Sequence, residues 1–95
     1  MKNLYTLQDV LSEVYRNLDL EEKVGIYEIK QAYREVMGSL VVKMTLSLTV
    51  EGKTLNVKLA SPALRQELSM RKTNLIAQIN NKLASKAVIE EINFF

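Results

Sequence analysis

The fold is decided by a stretch in the middle of the chain, residues 42–65, which reads VKMTLSLTVEGKTLNVKLASPALR. Apolar residues alternate with polar ones in residues 42–50 and again in residues 55–59, the pattern of β-strands with one buried face. The dipeptide Glu51–Gly52 separates the two runs, and glycine readily takes the positive φ that a tight turn requires. The stretch therefore predicts a β-hairpin.

The same stretch ends in a helix start, because Ser61 offers a capping hydroxyl and Pro62 stands at the first helical position. An apolar face then continues over about six turns. It consists of Leu64, Leu68, Leu75, Ile79 and Leu83. We predict one long helix over residues 61–85, followed by a last strand in residues 87–95, AVIEEINFF, which are rich in β-branched and aromatic side chains.

Two helices are predicted before the hairpin. Thr6 opens a helix at about residues 6–18, and Asp19 with Glu22 opens a second helix, which Gly25 is expected to interrupt. Helical periodicity changes to alternation between Lys43 and Thr45. The predicted order is α-α-β-β-α-β. This is an α+β fold, a single domain over residues 1–95 with a three-stranded sheet packed against helices.

Composition excludes most kinds of catalytic and metal site. The 95 residues include neither cysteine nor histidine, so the usual nucleophile–base pairs and the commonest metal ligands are absent. No Gly-rich phosphate loop occurs, and the neighbouring carboxylates of Glu21–Glu22 and of Glu90–Glu91 diverge rather than converge. We expect a protein that is not an enzyme, with no cofactor and no metal.

No segment of the sequence has the length and composition of a membrane anchor or a secretory signal. No apolar run approaches the roughly 18 residues of a transmembrane helix. Residues 1–11 contain Lys2, Gln8 and Asp9 and so lack a continuous apolar region. We expect a soluble, cytoplasmic protein without membrane contact.

The net charge of +2 is unevenly distributed along the chain. Residues 1–50 carry six basic and seven acidic side chains (6 − 7 = −1), and residues 51–95 carry seven and four (7 − 4 = +3). This asymmetry favours an anionic partner near the second half, although ordinary solvated surface charge explains it about as well. The candidate nucleic-acid-binding residues are Lys53, Lys58, Arg65, Arg71, Lys72, Lys82 and Lys86.

The predicted long helix has its charges beside the apolar stripe. With about 100° per residue, Arg65 and Lys72 fall near one border, and Arg71 and Lys82 near the other. The opposite face is largely neutral and holds Gln66, Met70, Thr73, Asn74, Asn80 and Asn81. We expect an anionic partner at the seam between helix and sheet, but charges that snorkel around a core give the same pattern.

Residues 52–80, GKTLNVKLASPALRQELSMRKTNLIAQIN, resemble the DciA-like proteins, a family long described as a domain of unknown function. The family pattern has a helix that ends in an aromatic residue, a short spacer and Gly, which is matched by residues 33–38. A G-x-L-x-V hairpin, a Ser-rich corner and a helix with E-L then match residues 52–57, 60–62 and 64–68. The resemblance covers essentially the whole chain.

The resemblance implies a KH-like fold and a role in assisting the loading of the bacterial replicative helicase, with contacts to single-stranded DNA. Tryptophan is common in the family at the positions of Tyr33 and Ala63, and this sequence contains none. The sequence also lacks the KH signature GxxG and, ending at Phe95, the basic C-terminal tail of many members, so it is expected to be a short form.

Two functional hypotheses remain open at this point. The first is a non-enzymatic, nucleic-acid-associated adaptor for the replicative helicase, which binds single-stranded DNA weakly and with a steep salt dependence. The second is a protein–protein interaction or self-assembling module without nucleic-acid contact. It is motivated by Met70 and Phe95 as exposed apolar candidates and by the free edge of a three-stranded sheet. The oligomeric state and any preference between DNA and RNA stay open.

Overall fold

The structure, a computed structural model, describes the backbone of residues 2–84 and 87–95 and the side chains of residues 22–84 and 87–95. It confirms the α+β class, with the element order α-β-β-α-α-β. The elements are α1 (Lys2–Lys43), β1 (Thr45–Glu51), β2 (Thr54–Leu59), α2 (Pro62–Ser69), α3 (Lys72–Asn81) and β3 (Glu91–Phe94).

The two predicted N-terminal helices form one helix, α1, so the prediction of a break at Gly25 was wrong. Gly25 is buried, and a Cβ added there would lie 3.3 Å from the Cβ of Ala87. The interruption comes instead at Gly38, whose φ of 83° and ψ of 172° are not helical. A lone glycine costs a helix only about 1 kcal/mol, which tertiary packing overrides. None of the described helices is both long enough and apolar enough to span a bilayer.

The sheet has the strand order β1-β2-β3. As predicted, β1 and β2 form an antiparallel hairpin, closed by the two-residue loop Gly52–Lys53. Gly52 has a φ of 61° and no described non-glycine residue has a positive φ, the pattern of a type II′ turn. The predicted change from helix to strand near Lys43–Thr45 is confirmed.

The last strand, β3, pairs in parallel with β2 and is shorter than the predicted strand over residues 87–95. The segment before it does not join the sheet ladder. Asn80 of α3 holds the backbone of Ile89 through its side-chain amide, and the Glu90 N–H donates to the carbonyl oxygen of Lys53 at 2.8 Å. Because the backbone groups of Ile89 and Glu90 form these hydrogen bonds instead of pairing with β2, the strand begins only at Glu91.

The predicted long helix over residues 61–85 is two helices, α2 and α3. Its predicted start is confirmed, because the Ser61 Oγ accepts a hydrogen bond from the Leu64 N–H at 3.2 Å. The chain leaves helical geometry at Arg71, with φ −117° and ψ 19°. One straight helix over residues 62–81 would extend about 30 Å, beyond the roughly 20 Å of the six-residue β2. The break keeps both helices on the core.

The core lies between one face of the sheet and the three helices. Its buried side chains are Ile29, Ala32, Tyr33, Leu55, Val57, Leu59, Leu68, Leu75, Ile79, Ile89, Ile92 and Phe94. Phe94 is 9% exposed and Phe95 is 51% exposed, so one of the two faces the core, as alternation predicts. The other sheet face is polar. There, the Asn93 Nδ2 donates to the Asn56 Oδ1 at 3.0 Å, and the Asn56 Nδ2 donates to the Glu51 Oε1 at 2.9 Å.

Candidate nucleic-acid interface and the groove beside β1

The seven predicted cationic residues do not share one surface. Lys53 lies in the hairpin loop, where its Nζ is 3.5 Å from the Glu90 Oε2. Lys82 lies at the end of α3, where its Nζ is 3.5 Å from the Glu35 Oε1 of α1. Lys86 lies outside the described residues. Two of the candidates therefore already have a carboxylate partner within the chain.

The other four cations have no ion pair with any described residue. Lys58 is exposed on the polar face of the sheet, in β2 and five residues after Lys53 of the loop. Arg65 lies in the first half of α2, and Arg71 and Lys72 lie where α2 passes into α3. Arg65 and Lys72 are half-buried, and Arg71 is exposed. We call these three residues the α2–α3 corner.

The break between α2 and α3 changes the predicted charge pattern, because residues after Arg71 no longer follow the angular sequence of α2. Lys82 lies beside α1 and not at a border shared with Arg71. Asn80, predicted on the outward face, is instead half-buried against Ile89. The half-burial of Arg65 and Lys72 does fit side chains that border the core.

A groove lies between α1 and β1 and was not predicted. Its volume is about 260 Å³. It is lined by Lys30, Tyr33, Arg34, Val42, Thr45, Leu46, Ser47 and Leu48. The charge of Lys30 and Arg34 went unnoticed because they belong to the half of the chain with a net charge of −1. Their spacing of four residues, one helical turn apart on one face, is the signal in the sequence.

Tyr33 lies beneath this groove and connects α1 to β1. Its side chain is 0% exposed. The Thr45 Oγ1 donates to the Val41 carbonyl oxygen at 2.8 Å, so the Tyr33 hydroxyl donates to the Thr45 Oγ1, also at 2.8 Å. Burial raises the pKa of the Tyr33 phenol above 10.0. Tyr33 is thus a neutral structural group.

Comparison with known families confirms the resemblance seen in the sequence. The family model described as "Dna[CI] antecedent, DciA" matches residues 6–94. The chain belongs to the DciA family. This family is associated with the loading of the replicative helicase and is one of loaders or adaptors, not of catalysts. A search of curated proteins found no match to this DciA chain.

The described part of this DciA-family chain offers little for small-molecule chemistry. The groove lining includes no carboxylate, and its volume is below the roughly 300–1,000 Å³ of typical ligand pockets. The described residues include no cluster of three or more possible metal-ligating side chains. The features that remain are surfaces: the α2–α3 corner, and a cationic groove beside an edge strand.

Proposed function

We propose that this chain is a non-enzymatic adaptor that assists the loading of the replicative helicase and contacts single-stranded DNA. The observation that carries the proposal is the match of the DciA family model over residues 6–94 of the 95-residue chain. A helicase interaction follows from the family's role. The DNA contact rests on the charges of this chain and is tested separately. A KH-like arrangement stays a prediction from the resemblance.

The α2–α3 corner supports the DNA contact. Arg65, Arg71 and Lys72 fall within eight consecutive residues, which also contain Glu67 and so carry a net charge of +2 (3 − 1 = +2). None of the three cations forms an ion pair with a described carboxylate. Such groups bind phosphate oxygens and fix position without reading bases. Three phosphate contacts on a single strand give a slope of about −2 in log affinity against log salt, or a roughly 20-fold loss between 50 and 200 mM.

The DNA contact is tested by fluorescence anisotropy with a labelled oligothymidylate at low salt. We expect Arg65→Glu and Lys72→Glu each to weaken binding more than the double variant Asn74→Glu/Asn81→Glu. The double variant is a matched control, because it lowers the net charge by the same two units on exposed positions of α3. Equal effects would exclude the corner as the site, and no binding by the wild type would exclude the DNA contact.

The helicase contact is tested by capture from the native cell with a tagged chain, followed by mass spectrometry. Recovery of the replicative helicase supports the adaptor role, and its repeated absence under mild salt removes that role. Nuclease treatment of the lysate separates a direct contact from one bridged by DNA.

A second candidate function is a protein-interaction or self-assembling module that does not contact nucleic acid. It is favoured by the exposure of Met70 (77%) and Phe95 (51%) and by the edge position of β1. Light scattering distinguishes the self-assembling form, because a strict monomer at high concentration excludes it.

A further inference from the structure

The outer edge of β1 has unpaired backbone groups. In a hairpin with a two-residue loop, the residues flanking the loop exchange both backbone hydrogen bonds, and this pairing recurs at every second residue. Glu51 and Thr54 flank the loop, and Thr49 faces Asn56 in the same register. The intervening residues, Leu48 and Val50, therefore direct their N–H and C=O groups away from β2. No described residue bonds to them on that side.

Around Leu48 and Val50 the edge lacks most of the usual protection against pairing with another chain; the β-bulge that often serves this purpose lies at Leu46. Natural edge strands are often blocked by lysine, by proline or by an inward-pointing charge. The sequence of β1, TLSLTVE, contains neither proline nor lysine, and its single charge stands at the hairpin end. The register shifts between Thr45 and Ser47, and Leu46 at this irregularity is 61% exposed.

The adjacent groove has the charge expected of a site for an acidic segment. Lys30 and Arg34 line it, and neither forms an ion pair with a described residue. Among the described residues, the Arg34 Nη1 donates to the Gln31 Oε1 of the same helix, at 2.7 Å, and to no carboxylate. A second copy of the chain paired along the same edge would bring two such cationic pairs together. Like-charge repulsion of this kind disfavours self-pairing.

We propose that an extended, acidic segment of a partner protein adds to β1 as a fourth strand of the sheet. Its backbone bonds to Leu48 and Val50, its carboxylates meet Lys30 and Arg34, and its apolar side chains fill the groove beside Leu46. Strand addition of this kind combines main-chain hydrogen bonds for affinity with side-chain pockets for specificity. The surface is separate from the α2–α3 corner, so it does not depend on the proposed DNA contact.

A single-stranded nucleic acid fits the groove less well. Binding of single strands generally combines cations with exposed aromatic side chains on which bases stack. The aromatic residue of the groove lining, Tyr33, is fully buried beneath it. The unpaired edge groups of β1, in contrast, match the backbone of a peptide.

The test uses a fluorescein-labelled peptide of alternating Glu and Val and its counterpart of alternating Lys and Val, each titrated by anisotropy against the full chain. We expect only the acidic peptide to bind the wild type. We expect Lys30→Glu/Arg34→Glu to weaken its binding about tenfold or more. The matched control is Lys23→Glu/Lys43→Glu, two exposed positions of α1 outside the groove lining, which changes the net charge equally. It should leave affinity within about twofold.

Hydrogen exchange of the wild type supplies a readout that does not depend on any variant folding. The bound acidic peptide should slow exchange of the Leu48 and Val50 amides. The proposal is overturned if these amides stay unprotected, if both double variants weaken binding equally, or if an oligonucleotide displaces the peptide and protects the same amides. Protection that rises with protein concentration in the absence of peptide would assign the edge to a second copy and overturn the acidic partner.

Discussion

The side-chain amide of Asn80 is expected to be among the more important polar groups for stability. Its Nδ2 donates to the Ile89 carbonyl oxygen, and its Oδ1 accepts from the Ile89 N–H, both at 2.9 Å. The perturbation is Asn80→Ala, which removes both partners at once. Ile89 is only 1% exposed, so its backbone groups have little access to replacement water.

The size of the effect follows from these two bonds. A typical hydrogen bond contributes about 1 kcal/mol net, and a buried group left unpaired costs about 1–3 kcal/mol. Alanine regains about 0.5 kcal/mol of helix propensity over asparagine. We therefore expect Asn80→Ala to lower the free energy of unfolding by about 2–3 kcal/mol, allowing for partial relaxation. At 4–8 °C per kcal/mol for a domain of this size, Tm should fall by roughly 10–20 °C.

The assay is urea denaturation followed by circular dichroism, with Asn74→Ala as the matched control. Asn74 is an exposed asparagine in the same helix, so its variant measures the propensity gain alone. Hydrogen exchange at the Ile89 amide gives an independent readout and should accelerate only in Asn80→Ala. If the free energies of unfolding of the two variants differ by less than about 0.5 kcal/mol, the inference that the Asn80–Ile89 hydrogen bonds stabilise the fold is refuted.

Two further predictions concern the passage from α1 to β1. Gly38→Ala should lower the free energy of unfolding by about 1–3 kcal/mol, because the mirror-extended backbone at φ 83° and ψ 172° is nearly confined to glycine. An added Cβ at Gly38 meets nothing within 4 Å, so any loss of stability comes from the backbone angle and not from a clash. An unchanged thermal midpoint would show that the protein does not keep this positive φ. Tyr33→Phe should lower the free energy of unfolding by about 1 kcal/mol at neutral pH. Because the raised pKa favours the protonated phenol in the folded state, the wild type should lose stability as pH rises past 10.0, and Tyr33→Phe should lose less. Equal pH dependence of the free energy of unfolding in the two proteins, measured by urea denaturation, would contradict this.

The amino-acid sequence by itself determined the features that depend on neighbours along the chain. The alternation around Gly52 specified the hairpin and its face, because a period of two can bury only one side of a strand. Ser61 and Pro62 specified the start of α2, because capping uses groups within one turn. Leu55 and Val57 were placed in the core for the same local reason, and the ordered motifs were sufficient to indicate the family.

Only the tertiary structure decided the features that join distant parts of the chain. No glycine or proline marks the break at Arg71, so no local signal in the sequence predicts it. The ion pair of Lys53 with Glu90 joins residues 37 positions apart, and no periodicity reports such a contact. The pairing of Asn80 with Ile89 depends likewise on where the chain returns to the sheet.

The α2–α3 corner and the groove beside β1 also differ in how far the sequence alone reveals them. The cations at the α2–α3 corner are neighbours in the sequence, so charge counting found them, although their geometry depended on an unforeseen break. The groove brings Lys30 and Arg34 of α1 beside Leu46 and Leu48 of β1. Counting charges separately in the two halves of the chain does not reveal this groove, because the local electrostatic field depends on distance in space and not on position in the sequence.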